Sequence, residues 1–268
     1  MPGPHVSARI ALPFALLLIA AGCATTTGRD FNILSTNDEI ELGKQFSAQV
    51  EQEEAVLAEP ALQAYVVRVG ERLAKVSPRQ DVEYTFKVID APDTVNAFAL
   101  PGGFMYVYTG LMKICESEAE LASVMAHEIA HVAAYHHGEA FTRQWLAGEA
   151  AGYVLGEDPA AAHELVAKVF LAGVSARFSR VQEHQADQLG MEILFRAGYR
   201  PDAMVDFMYK LVEQSKGHPY LPIFSSHPPT EARVQRLQTL VQQYPIEIRV
   251  QNPTYSQRYR EEVLSRFE

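Results

Sequence analysis

Apolar and polar positions repeat along this chain on two different periods, and the changes of period divide it. From Thr36 the apolar residues Ile40, Leu42, Phe46 and Val50 recur at helical spacing behind Thr36-Asn37-Asp38-Glu39. That pattern predicts a capped helix through about Leu57. Pro60 opens a second helix to about Val76, stopped by Ser77-Pro78. The period then shortens to two. Tyr84-Thr85-Phe86-Lys87-Val88-Ile89 predicts a strand, Val95 to Leu100 a second, and Phe104 to Thr109 a third. Pro101-Gly102-Gly103 reads as the turn that makes the last two a hairpin. Thr109-Gly110-Leu111 leads into the strongest helical stretch, Ser117 to about Tyr135. Ser117-Glu118-Ala119-Glu120 caps its start, and Leu121, Val124, Met125, Ile129 and Val132 give it an apolar stripe. Further helices are expected from Pro159 to about Ala176, Arg180 to Ala197, Pro201 to Ser215 and Thr230 to about Tyr244, with a loop from Lys216 to Phe224. Residues 136–158, where glycines mix with aromatics and alanines, read as a mobile helix or a lid. The predicted fold class is α+β, mostly helical, with a small sheet beside the Ser117 helix.

That helix carries His127-Glu128-Ile129-Ala130-His131. Residues four apart on a helix share a face, so His127 and His131 can hold one metal ion between them. Glu128 lies about 100° round the helix, within reach of a water on the metal without being a ligand. This is the pattern of a zinc-hydrolase helix: two imidazoles bind Zn²⁺ and a carboxylate takes the proton from the attacking water. Burying three ionisable side chains on an apolar helix is otherwise costly.

A catalytic zinc takes three protein ligands and one open position. His137 stands where a helix that breaks and turns back would place a third His, but that turn calls for Gly at position 134, and Ala134 favours continuing the helix. Glu183 in Glu183-His184-Gln185-Ala186-Asp187 is the better third ligand. Asp187, four residues on, shares its face and is placed to accept a hydrogen bond from a ligand imidazole, for which His127 is the expected partner. The edge of the predicted sheet can pair with an extended peptide, and Asn96 stands at that rim as a substrate contact or as an ordinary strand-end residue.

The formal net charge of −10, with no Lys/Arg cluster, argues against non-specific nucleic-acid binding. A hydrophobic fraction of 48% over 268 residues supports a sizeable core. The N-terminus reads as a processing segment: Ile10 to Ala21 is a short apolar run, and Ala20-Ala21-Gly22 precedes Cys23. The Ala-Ala-Gly-Cys ending resembles a bacterial lipoprotein signal, in which the cysteine is acylated and anchors the chain. Cys115 then has no partner, and is expected to be a buried thiol beside the helix start. The expected divisions are 1–22 signal peptide, 23–37 acylated Cys and tether, 38–245 catalytic domain and 246–268 C-terminal tail.

Taken with Asn96-Ala97-Phe98-Ala99-Leu100-Pro101-Gly102-Gly103, Thr109-Gly110-Leu111 and His227-Pro228, these motifs resemble the HtpX and CAAX-prenyl-protease type of zinc metallopeptidase, a gluzincin group, over roughly residues 38–244. The resemblance implies a zincin-like domain, one Zn²⁺ on His127, His131 and Glu183, and Glu128 as general base. It places His227 near the metal, stabilising the oxyanion or gating access, and draws Arg233 to the same corner. Asn96 and Ala97 are the expected substrate contacts at the sheet edge. With no internal membrane-spanning segment and no tetratricopeptide array, the chain is most similar to short periplasmic lipoprotein members. The expected role is hydrolysis of damaged or misassembled envelope proteins, with the chain anchored at Cys23 on the periplasmic side of the outer membrane and no nucleic-acid partner. The rival is a latent or non-proteolytic module clipped by zinc, with His227 as a fourth ligand, acting in outer-membrane protein assembly.

Overall fold

Every residue from Glu118 to Val132 is buried in the helix that bears the His-Glu-x-x-His motif, so the predicted apolar stripe belongs to a helix buried on all sides. Such a helix belongs at the centre of a domain. The computed structural model describes residues 32–155, 178–217 and 221–268. The expected signal peptide, Cys23 and the Pro159 helix lie outside these residues. The fold is α+β and mostly helical.

Helices α1 (Thr36–Glu53) and α2 (Pro60–Ala74) precede the sheet. The α1 cap is Ser35 rather than Thr36: its hydroxyl accepts from the Asp38 amide, and the Asp38 carboxylate accepts from the Ser35 amide. Strands β1 (Thr85–Ile89), β2 (Ala97–Ala99) and β3 (Phe104–Tyr108) form one sheet in the order β1-β3-β2. β1 runs parallel to β3, and β2 runs antiparallel to it as the expected hairpin. The hairpin turn is a short 3₁₀ segment in which Gly102 and Gly103 take φ of 75° and 98°. A Cβ on Gly102 would stand 2.7 Å from the α1 backbone at Ile40, so both conformation and space demand glycine there.

The motif helix is α4 (Glu118–Ala133), reached from β3 through α3 (Thr109–Ile114). After it come α5 (His136–Leu155), α6 (Arg180–Arg196), α7 (Asp202–Gly217), α8 (Pro222–Ser226) and α9 (Glu231–Val241). The expected loop from Lys216 to Phe224 therefore contains the end of α7 and the start of α8; Pro222, at the first helical position, favours that short helix. Helices α10 (Ile246–Gln251) and α11 (Ser256–Glu262) end the chain with a 3₁₀ turn. Residues 246–268, expected as a tail, are part of the domain: Tyr259 and Val263 are fully buried in the core that surrounds α4.

Glu118 ties this C-terminal segment to the motif helix. It is 1% exposed, and accepts from the Tyr65 hydroxyl at 2.6 Å, the Tyr199 hydroxyl at 2.8 Å and the Arg258 guanidinium. Replacing Glu118 with Ala leaves two buried hydroxyls and a half-buried cation without their acceptor. The expected loss is about 3 kcal/mol, or roughly 6–12 °C in Tm for a domain of this size. A thermal melt with Tm within 2 °C of the wild type would show that Glu118 is not the tie.

Candidate metal centre

Helix α4 presents His127 and His131 one turn apart, and α6 crosses it at that point. Gly190 permits the crossing: a Cβ there would lie 3.0 Å from His127 Cα and 3.1 Å from its N. The close approach carries Glu183, about two turns earlier on the same face of α6, to the two imidazoles. Glu183 Oε1 lies 3.4 Å from His131 Nε2, and Oε2 lies 3.5 Å from His127 Nε2. His227, just past α8, adds a fourth group: its Nδ1 lies 2.9 Å from Glu183 Oε1 and 3.2 Å from His127 Nε2. One ligand atom from each of His127, His131, Glu183 and His227 falls within 4.8 Å of the others, and all four residues are buried.

The outer faces of these rings decide what the inner faces offer. Asp187 Oδ1 stands 3.1 Å from His127 Nδ1, so the ring proton sits there and the Nε2 lone pair points inward. Asp187 is itself gripped by Arg233, whose Nε and Nη2 meet its two oxygens at 3.0 and 2.6 Å, while Nη1 reaches Glu183 Oε2 at 2.8 Å. His131 Nδ1 meets His136 Nδ1 at 2.9 Å, and Phe178 stacks on the His131 ring with centroids 3.9 Å apart. The inward atoms His127 Nε2 and His131 Nε2 are 3.1 Å apart, beside a carboxylate and a third imidazole. Lone pairs converging in this way repel unless a cation lies among them. The donor set of imidazole nitrogens and a carboxylate oxygen suits a divalent transition metal. The residues fit the ion.

Burial and the neighbouring charges shift these groups in different directions. Burial alone would raise the Glu183 carboxyl, but the His227, His127 and His131 rings hold it far below the usual carboxylate range. Burial pushes His131 well below the ordinary imidazole value. Burial works the same way on His127, yet hydrogen bonds to Asp187 and Glu183 raise it to about 9. For Asp187 the upward push of burial is outweighed by Arg233 and His127, which lower it.

Glu128 is 2% exposed and lies between the sheet and the cluster. Its Oε2 accepts from the Ala99 amide of β2 at 3.2 Å, and its Oε1 is 3.3 Å from His227 Nε2. The β1 edge is occupied, since Leu57 donates to Val88 and Val56 bridges Ile89. The β2 edge is therefore the one beside the site. The rim residues divide: Asn96 gives its carbonyl to the Tyr108 amide, and Ala97 is fully buried against β3. The strand residue that meets Glu128 is Ala99.

The chain breaks between α4 and α5 without a glycine, so the expected continuous helix past Ala134 is not formed. Tyr135 takes φ of 60°, a costly conformation for a residue with a side chain. Arg79 holds the break: its Nη1 donates to the Val132 carbonyl at 2.9 Å and its guanidinium lies 4.0 Å over the Tyr135 ring. The break sends His136, not His137, against His131. His137 is buried with its ring 6.3 Å from that of His131 and lies outside the four-residue group. Periodicity gave no signal for Gly190, Arg79 or His136. Cys115 is buried at the start of the helix, where burial pushes its thiol well up.

A His-Glu-x-x-His helix beside a small sheet, met by a glutamate from a second helix, is the site of a glutamate-type metallopeptidase. The profile of Peptidase family M48 matches residues 60–241, and the chain belongs to that family. It is 30% identical over 212 residues to the beta-barrel assembly-enhancing protease of Escherichia coli K12, covering 75% of this chain and 43% of that one. It is 32% identical over 178 residues to the mitochondrial metalloendopeptidase OMA1 of Schizosaccharomyces pombe, covering 65% of this chain and 51% of that one. The chain thus matches about half the length of these relatives. Over 249 residues it is 26% identical to the E. coli metalloprotease YcaL, covering 85% of this chain and 93% of that one.

Proposed function

We propose that this chain is a zinc endopeptidase of the bacterial cell envelope that hydrolyses misfolded or misassembled envelope proteins. The observation that carries this reading is the convergence of His127, His131 and Glu183 on one point, with the Glu128 carboxylate beside it. Ligand atoms on a tetrahedral zinc with bonds of about 2.0–2.1 Å stand roughly 3.3 Å apart. The separations among His127, His131 and Glu183 are 3.1, 3.4 and 3.5 Å, close to that spacing, and their imidazole donors suit zinc better than an oxygen-seeking cation. Bound zinc supplies a Lewis acid and a water acidic enough to be used at neutral pH. Glu128 takes a proton from the attacking water and passes it to the leaving amine. The Ala99 amide and His227 hold that carboxylate in place. An extended substrate pairs with the β2 edge.

Beside Glu128 and His127 opens a small cleft of about 40 Å³ lined by Val124, Met204, Phe207, Met208, Leu211 and Ile223. Its wall is apolar and methionine-rich, hence adaptable. The substrate side chain next to the scissile bond is expected to be apolar, as it would be in an exposed stretch of an unfolded protein. Mapping the cuts in unfolded casein by mass spectrometry is expected to show Leu, Phe, Met or Ile at one fixed side of most cuts. A cut pattern centred on Asp, Glu or Lys would remove the cleft from the reading.

A second reading is supported by His227. Its Nδ1 stands with the three ligand atoms, and a fourth protein ligand closes a zinc site. The resting enzyme is then latent, or the domain is a zinc-clipped module that does not cut. His227→Ala distinguishes these roles. A latent protease is expected to gain at least 10-fold in casein cleavage, whereas loss of an oxyanion donor is expected to cost about 10²–10³ in kcat. A variant as inactive as an inactive wild type, with zinc still bound, would favour the non-cutting module.

The placement in the envelope rests on the Ala-Ala-Gly-Cys sequence at Cys23 and on the likeness to a protein named for β-barrel assembly. No helix among the described residues is long and apolar enough to cross a membrane. Acylation of Cys23 is the anchor we propose, on the periplasmic side of the outer membrane.

A further inference from the structure

We infer that His136 is a positioning residue for the metal ligand His131, completing a proton-ordered relay from Gln185 through His136 to the metal point. This inference rests on the metal reading proposed above and concerns how the second histidine is held.

His127 and His131 are oriented by different chemistry. His127 has a carboxylate behind it, and a carboxylate only accepts. His131 has another imidazole behind it, and an imidazole can face either way. Gln185 meets the far side of His136. His136 Nε2 lies 3.2 Å from Gln185 Oε1, and His136 Nδ1 lies 2.9 Å from His131 Nδ1. With Gln185 accepting, His136 carries its proton on Nε2 and offers the Nδ1 lone pair. His131 must then donate from Nδ1, which leaves the Nε2 lone pair for the metal. Were the order reversed, His131 would carry its proton on Nε2, pointing at the ion. Only one proton order is compatible with a metal, and the Gln185 carbonyl turned to His136 supports it.

The neutral partner also fits the charge of the site. Glu128, Glu183 and Asp187 are three carboxylates around the cluster, and Arg233 is the cation bonded to two of them. A divalent ion with Arg233 balances the three. A carboxylate behind His131 would leave one buried negative charge in excess, whereas an imidazole orients the ring at no charge. The turn at Tyr135, held by Arg79, is what puts this imidazole there.

The test measures metal, not turnover. Full-length wild type, His136→Leu, His136→Asn and Gln185→Leu are loaded with Co²⁺ for visible spectra, and their zinc affinity is measured by chelator competition. The melting temperature of each metal-free protein is measured alongside. His136→Leu removes the acceptor. It is expected to weaken zinc binding 10–100-fold and to shift the Co²⁺ bands. His136→Asn keeps an acceptor oxygen where Nδ1 stood, and is expected to recover most of that affinity. Gln185 is exposed, so Gln185→Leu leaves the metal-free melt unchanged and is expected to weaken binding a few-fold. Equal affinity and spectra in wild type and His136→Leu would overturn the relay alone. Equal losses in the Leu and Asn variants would also overturn it, reducing His136 to packing. A wild type that binds neither Co²⁺ nor zinc would overturn the metal reading and the relay with it.

Discussion

Glu128→Gln is expected to lower the cleavage of unfolded casein by about 10²–10⁴-fold while leaving one metal ion bound per chain. The amide is nearly the shape of the carboxylate and still fits between the Ala99 amide and His227. What it loses is the ability to take a proton from water. Because Glu128 is outside the ligand cluster, its replacement leaves the three lone pairs of His127, His131 and Glu183 where they were. The separation of the two readouts is the point of the variant. A casein assay showing retained cleavage would remove Glu128 as the base. A metal assay showing loss of the ion would instead make it a ligand.

The second large effect is expected at Glu183. Glu183→Ala removes the only carboxylate among the four clustered ligands and leaves three imidazoles around a divalent ion. It also strips Arg233 of one of its two carboxylate partners in a buried site, where Asp187 remains. Metal content is expected to fall from one per chain to near zero, and cleavage with it. The protein should also lose stability, since breaking a buried ion pair costs about 3–5 kcal/mol. Elemental analysis after gel filtration reads the first effect and a thermal melt the second. Full metal occupancy in Glu183→Ala would show that His227 and the two α4 histidines suffice, and would move attention to a His-only site.

The site divides into a part written in local spacing and a part that is not. His127, Glu128 and His131 share one helix, and Glu183 and Asp187 share another, so the helical period alone puts each group on one face. The pairing of His127 with Asp187 follows from laying those two faces together. What local pattern cannot supply is where the chain turns against its own preferences. Ala134 and Tyr135 have no turn signal, yet the helix breaks there, because Arg79 from far along the chain takes up the Val132 carbonyl and the Tyr135 ring. His137 stays outside the metal group although the helix is not continuous there, and the break brings His136 to His131 instead. Gly190 was equally silent: its importance is the absence of a Cβ opposite His127. At the level of the fold, the three strands and the long helices α1, α2, α4, α6, α7 and α9 were visible as changes of period. The C-terminal residues were not, since short helices carry little periodicity, and Tyr259 and Val263 are recognisable as core only once α4 is in place.

Whether this cluster holds a catalytic metal is decided by chelation followed by reconstitution. Full-length wild-type protein is stripped with a chelator, dialysed, assayed on unfolded casein, and assayed again after one equivalent of Zn²⁺. The account predicts no cleavage by the stripped protein, and recovery that saturates at one zinc per chain; where His227 closes the site, the same pattern is read in His227→Ala. Cleavage that survives complete removal of metal would contradict it, as would a chain that binds one zinc and cuts nothing in either form.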